Sequence, residues 1–278
     1  MSLRNLTVFI ADADEPSGRA LIGRLAGQGA QLALNSPSGG AAIEAELEAA
    51  RAAGARVLPL HLDLCSREAL AGGIARIEAE LGLIGLLVHN RQRCERATIA
   101  ECSESLFLDI LDANAKSAFL CTQAIGGRMA ERGSGSIVYV TSIHAEKPTG
   151  ASFAYSASQG AIGMLAAEAA LELGRRGVRV NTVQLGPVQG PSTELVSPLS
   201  ALYDDYERKT PLRTAQASDL ASLAIYLAGD TAGALHGATI RLDGGLLLHY
   251  MDHKMKPPSD DTAHDIGRRL RADKRGGD

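Results

Sequence analysis

The sequence predicts an α/β protein, a doubly wound parallel sheet of seven strands with helices on both faces. Three observations carry that reading. Short β-prone apolar runs alternate with Ala-, Leu- and Glu-rich stretches of helical length along most of the 278 residues, the pattern of successive parallel βαβ units. Runs such as Ile84-Gly85-Leu86-Leu87-Val88 are apolar without alternation, as strands covered on both faces require. Apolar residues make up 45% of the chain and charged residues 22%, a balance that builds a sizeable core and rules out a disordered chain.

The elements follow in order. Leu6–Ala11 is a first strand and Ser17–Gln28 a helix. Gln31–Leu34 is a strand, followed by a helix over Gly40–Ala53 that ends at Gly54. Arg56–Leu62 is a strand; Ser66 caps a helix reaching Leu81, with Glu68 in its first turn, where a carboxylate suits the helix dipole. Ile84–Asn90 is a strand and Ser103–Arg132 a long helix. Ser136–Thr141 is a strand, Phe153–Arg176 a second long helix, and Val178–Leu185 a strand. Ser218–Gly229 is a helix with Ser218 or Asp219 at its cap, and Ala238–Leu242 is the last strand. No composition break precedes residue 250, so residues 1–250 read as a single domain. Residues 251–278 read as a charged tail: Lys254, Lys256, Arg268, Arg269 and Arg271 alternate with aspartates around Pro257-Pro258, with a short helix near Asp265–Ala272.

Several function classes fall away. A net charge of −4 argues against a phosphate-backbone binder, and 4% aromatics without Trp argue against base stacking. No apolar run reaches the ~18–20 residues of a membrane span. The four cysteines, Cys65, Cys94, Cys102 and Cys121, lack metal-ligand spacing, so no metal site is expected and reduced thiols in a cytoplasmic protein are.

An ordered set of motifs narrows the class. Ser142 stands thirteen residues before Tyr155, at the end of Ser136-Ile137-Val138-Tyr139-Val140-Thr141. Asn114 sits in Asp112-Ala113-Asn114-Ala115-Lys116 of the long helix. Arg179-Val180-Asn181-Thr182-Val183 leads to Gly186-Pro187, and Gly237 to Gly245 closes the domain. In order and spacing these resemble the short-chain dehydrogenase/reductase family over residues 5 to about 248. The resemblance implies a Rossmann-type sheet, NADP or NAD as cofactor, a Tyr general acid beside Ser and Lys, and a homo-dimer or homo-tetramer. It places Asn114, Ser142, Tyr155 and Gln159 at catalytic positions. It places Ala11, Ser17, Gly18, Asp63, Asn90, Gly186, Pro187 and Val188 along the cofactor.

The chain departs from the family where the cofactor would lie. The Gly-rich first turn reads Ala11-Asp12-Ala13-Asp14-Glu15-Pro16-Ser17-Gly18, with only the last glycine kept. Pro16 offers no N–H, and a carboxylate ~6 Å from a phosphate charge costs ~0.7 kcal/mol in water and ~3 at an effective dielectric of 20. The ribose-reading acid after the second strand is replaced by Asn35-Ser36-Pro37-Ser38, which mildly favours NADP, and Asn-Asn-Ala-Gly after the fourth strand by His89-Asn90-Arg91-Gln92. Arg91 or Arg93 is expected to pair with Asp12 or Asp14 and fill the vacated pocket. Gln189-Gly190-Pro191 stands where the family has a carboxamide-contacting Thr, and Pro191–Leu212, with Tyr203 and Tyr206, corresponds to a substrate lid.

Gln159 replaces the family's lysine. A charge lost ~4–5 Å from a phenol forfeits ~3–4 kcal/mol, two to three pKa units. Lys116, Lys147 and His144 are the nearby substitutes, each with a plain surface or loop reading beside the catalytic one. The leading expectation is an NADP(H)-dependent carbonyl or alcohol oxidoreductase with an impaired site, its dinucleotide binding weak or absent. Two alternatives stay open. One is a redox-free enzyme on the same fold using Ser142 and Tyr155. The other is a non-catalytic binder, or a partner subunit in a hetero-oligomer with another family member.

Overall fold

A computed structural model describes residues 3–150, 152–188 and 206–248. The tail from Met251, Tyr203, Gln189, Gly190 and most of the lid segment lie outside the described residues. Seven strands form one parallel sheet in the order β3-β2-β1-β4-β5-β6-β7. They are β1 (Thr7–Ile10), β2 (Gln31–Asn35), β3 (Val57–Leu60), β4 (Ile84–His89), β5 (Gly135–Ser142), β6 (Val178–Leu185) and β7 (Thr239–Leu242). Chain order reverses between β1 and β4, which opens a crevice beyond their C-terminal ends. The fold class read from the sequence is the one observed.

The longer helices are α1 (Pro16–Ala26), α2 (Glu44–Ala52), α3 (Arg67–Leu81), α4 over 104–131, α5 (Phe153–Gly174) and α6 (Ala217–Ala228). One apolar cluster, with Phe9, Leu87, Ile137 and Tyr139, joins the sheet to α3, α4 and α5. The other, with Val8, Ile10, Val88 and Val138, joins it to α1, α2 and α6. β4 and β5 feed both clusters by alternation, so their continuous apolar runs are explained.

The differences from expectation are local. Helix α2 opens with a 3₁₀ turn at Ala41–Ile43. The α6 cap is Gln216 rather than Ser218 or Asp219; Asp219 sits three residues on and completes a reciprocal capping box. The long helix α4 is not uniform. It is α-helical at Glu104–Leu111, Ser117–Cys121 and Gly127–Glu131 and π-helical at Asp112–Lys116 and Thr122–Gly126. The first π segment carries Asn114.

Candidate active site

The segments that follow β1, β2, β4 and β5 meet at the crevice. After β1, Ala11 is fully buried and its N–H donates to Val88 O at 3.0 Å. Asn90, after β4, ties the turn down: its Oδ1 accepts from Asp12 N (2.9 Å), and its Nδ2 donates to Asp12 O (2.7 Å) and Ser17 Oγ (2.9 Å). Gly18, the surviving glycine, has a packing reason, since a Cβ there would lie 2.1 Å from Asp12 O and 2.8 Å from Ala13 Cα. Ala11, Ser17, Gly18 and Asn90 therefore come together at the first turn.

The carboxylates of this turn are bound to the protein itself. Arg91 Nη1 donates to Asp12 Oδ2 at 3.1 Å. Burial pushes the Asp12 carboxyl above its usual range, and Arg91 opposes that shift. Asp14 accepts from Ser36 Oγ at 2.6 Å and from Ser38 N at 2.7 Å. These two contacts join the first turn to the loop after β2. Of the two arginines expected to reach the turn, Arg91 does. Arg93 goes elsewhere, donating to Glu95 at 2.7 Å. Asp12, Asp14, Pro16, Pro37, Arg91 and Gln92 line a cleft of about 370 Å³.

The expected catalytic residues stand on β5, α4 and α5. Ser142 ends β5, and its Oγ accepts from His144 N at 3.3 Å. The His144 ring meets the Tyr155 ring edge-on at 6.3 Å. Its Nδ1 lies 2.7 Å from Lys147 O, which makes that nitrogen the donor. Burial lowers the His144 pKa, and the Lys147 carbonyl partly offsets this. Asn114 accepts from Arg93 N (2.7 Å) and donates to Arg93 O and Ser158 Oγ (both 2.9 Å). Its amide thus holds the β4–α4 loop against α5. Tyr155 is 4% exposed and its hydroxyl donates to Gln92 Oε1 at 3.0 Å. Gln159, one turn further along α5, is fully buried with neither end of its amide partnered among the described residues. Lys116 is engaged by Asp112 at 2.6 Å on the outer side of α4.

The remaining candidates lie at the margins. Asp63 is exposed and closes a local turn onto Cys65 N at 2.8 Å. Gly186 packs against Asp243, whose Cβ would be 2.7 Å from a Cβ at residue 186. Pro187 is buried, and Val188 bridges to Ala215. Sequence reasoning missed Gln92 as the partner of Tyr155. The signal was the exchange of small residues for long ones after Asn90. No group of three or more His, Cys, Asp or Glu able to hold a metal occurs among the described residues.

A family profile described as enoyl-(acyl carrier protein) reductase matches residues 17–247. The chain belongs to the short-chain dehydrogenase/reductase family. An uncharacterised oxidoreductase of Methylorubrum extorquens is 30% identical over 247 residues, 88% of this chain and 98% of that one. Gluconate 5-dehydrogenase of Gluconobacter oxydans is 26% identical over 248 residues, 89% of this chain and 96% of that one. A solved NAD+-bound xylitol dehydrogenase shares the fold, with TM-score 0.78, 23% identity and coverage of 88% of this chain and 100% of that one. The short-chain dehydrogenase/reductases are oxidoreductases that bind NAD or NADP. Among the described residues, no helix is long and apolar enough to cross a membrane.

Proposed function

We propose that this short-chain dehydrogenase/reductase has an impaired coenzyme site and works without hydride transfer, using Ser142 and Tyr155 to bind and polarise a small carbonyl or hydroxyl compound. The observation that carries this reading is the Tyr155–Gln92 hydrogen bond, a side chain of the chain itself engaging the phenol from the coenzyme side.

The residues around the crevice do not fit a dinucleotide. A pyrophosphate asks for N–H groups and positive charge at the start of α1. Pro16 at that start has no N–H, and the N-cap Glu15 brings a carboxylate. Of the two arginines that line the cleft, Arg91 spends its charge on Asp12 and Arg93 on Glu95. The Asp14 contacts to Ser36 and Ser38 tie the first turn to the loop after β2, the loop that in dinucleotide-binding folds carries the ribose-reading acid. The uncharged Gln159 supplies no cation to acidify the phenol.

The competing reading is an NADP(H)-dependent carbonyl reductase with weak coenzyme affinity. It is favoured by the retained contact of Gly18 with the first turn and by Asn114, Ser142 and Tyr155 in family order. Separate titrations of NADPH and NADH against thermal unfolding decide between the two. Saturation at ~100 Kd stabilises a protein by about 2.7 kcal/mol. We expect no shift with either coenzyme up to millimolar concentration, and a saturable rise with one of them would establish the competing reading.

A further inference from the structure

We infer that the space between the Tyr155 hydroxyl and the Val140 carbonyl is a subsite for a primary carboxamide, and that Gln92 fills it as a built-in surrogate ligand. The inference rests on the proposed function only in placing the ligand at Tyr155. Gln92 uses both ends of one planar amide. Its Oε1 accepts from Tyr155 Oη at 3.0 Å, and its Nε2 donates to Val140 O at 3.2 Å. The two protein groups are therefore a donor and an acceptor spaced to meet a C=O and an NH₂ on the same carbon.

The fold explains why both groups are available. Pairing of β4 with β5 ends at His89 opposite Tyr139, one residue short of Val140. Beyond that point the chain turns away as the Arg91–Arg93 loop, leaving the Val140 carbonyl to a side chain or a ligand. Tyr155 is fixed from behind, because Asn114 ties α4 to Ser158 on the same turn of α5. Both Val140 and Tyr155 are buried, whereas Gln92 is half-buried and borders the open cleft. Rotation of one loop side chain into that cleft vacates the subsite without disturbing the sheet.

The chemistry is selective. A ketone satisfies the phenol and leaves the Val140 carbonyl without a donor. A carboxylate sets a lone pair against that carbonyl. A primary amide meets both, and a buried polar group left unmatched is what generates strong discrimination.

The test is thermal unfolding of Gln92→Ala with three compounds of one shape: isobutyramide, isobutyrate and 3-methyl-2-butanone. We expect isobutyramide to raise the melting temperature saturably in the tens-of-millimolar range. The acid and the ketone should be at least ten-fold weaker, and Gln92→Ala/Tyr155→Phe should lose the amide response at least ten-fold. Equal responses to the three compounds, or an amide response that survives loss of the Tyr155 hydroxyl, would overturn the assignment. Should Gln92→Ala fail to fold, Gln92→Ser, whose side chain is too short to span both groups, takes the same three compounds with the same expected ranking, and equal responses there would count against the subsite. A stabilising effect of NADPH on the wild type bears on the proposed function alone; the amide comparison stands or falls separately.

Discussion

His89 is a polar side chain enclosed in an apolar sheet, and its ionisation couples the end of β4 to pH. It is fully buried, with Nε2 2.9 Å from Ser117 Oγ and Nδ1 unpartnered among the described residues. Ser117 Oγ donates to Ala113 O at 2.6 Å, so Nε2 carries the proton towards Ser117. Burial first, and the Arg91 charge second, push the His89 pKa down to about 3. In the unfolded chain the imidazole takes a proton near its ordinary value of about 6.5. The folded state favours the neutral form, so the stabilisation is complete above pH 6.5 and is lost as pH falls towards 3. The slope reaches ~1.4 kcal/mol per pH unit. Between pH 7 and pH 4.5 this one residue should therefore remove about 2–3 kcal/mol, with His144 acting in the same direction. Urea unfolding at the two pH values, compared with His89→Asn, measures it: the substitution should flatten the acid side of the profile, and an unchanged slope would place the proton elsewhere. The identity of His89 was plain in the sequence. Its lone nitrogen was not, because burial on both sides of β4 is a property of the assembled layers.

At the level of elements, the β1–α1 turn shows what the sequence can and cannot disclose. The alternation of strand and helix runs placed both elements within one or two residues, because apolar run length and Gly or Pro punctuation are local signals. The loss of all but one glycine was equally legible. That Asp14 bonds to the β2 loop while Asp12 takes Arg91 was only half legible, since two arginines were equivalent candidates until the loop fixed their directions. The same limit hid the π segments of α4. The first of them carries Asn114, whose amide reaches Arg93 and Ser158, contacts made across elements rather than along one. Gly18 is the element-scale point of failure. Gly18→Ala drives a methyl into the Asp12 carbonyl at 2.1 Å, and both obstructing groups are backbone. Overpacking of this kind costs about 1–3 kcal/mol, a fall of about 2–12 °C in melting temperature for a chain of this size. Gly23→Ala, on the same helix with nothing within 4 Å of the added carbon, should instead stabilise by about 0.5–1 kcal/mol. Opposite signs for the pair, read by thermal unfolding, would tie the cost to the turn and not to the helix.

For the whole molecule, the sheet buries its two faces but leaves one flank of the helical layer incomplete. Helices α4 and α5 pack together outside β4 and β5. On α5, Met164 and Leu171 stand two turns apart and are 65% and 71% exposed. On α4, Leu108 and Phe119, three turns apart, are 51% and 42% exposed. Exposed apolar side chains on two packed helices are a surface that water disfavours, and an isologous contact covers such a surface with its own copy. We propose that this face forms a homo-dimer, the assembly expected from the family resemblance. The geometry has a consequence for the crevice. Tyr155 and Ser158 lie near the start of α5 and Asn114 lies on α4, so the helices that would be clamped between two subunits also set the phenol. Met164→Glu with Leu171→Glu should convert a sedimenting dimer to a monomer while leaving the far-ultraviolet spectrum intact. A wild-type chain that already sediments as a monomer would leave the stripe to a different subunit, the hetero-oligomer reading. Mixing with a second family member that keeps its lysine and glycines would then be the decisive experiment: co-sedimentation abolished by Met164→Glu with Leu171→Glu would assign the stripe to that partner, and separate sedimentation would leave it without one.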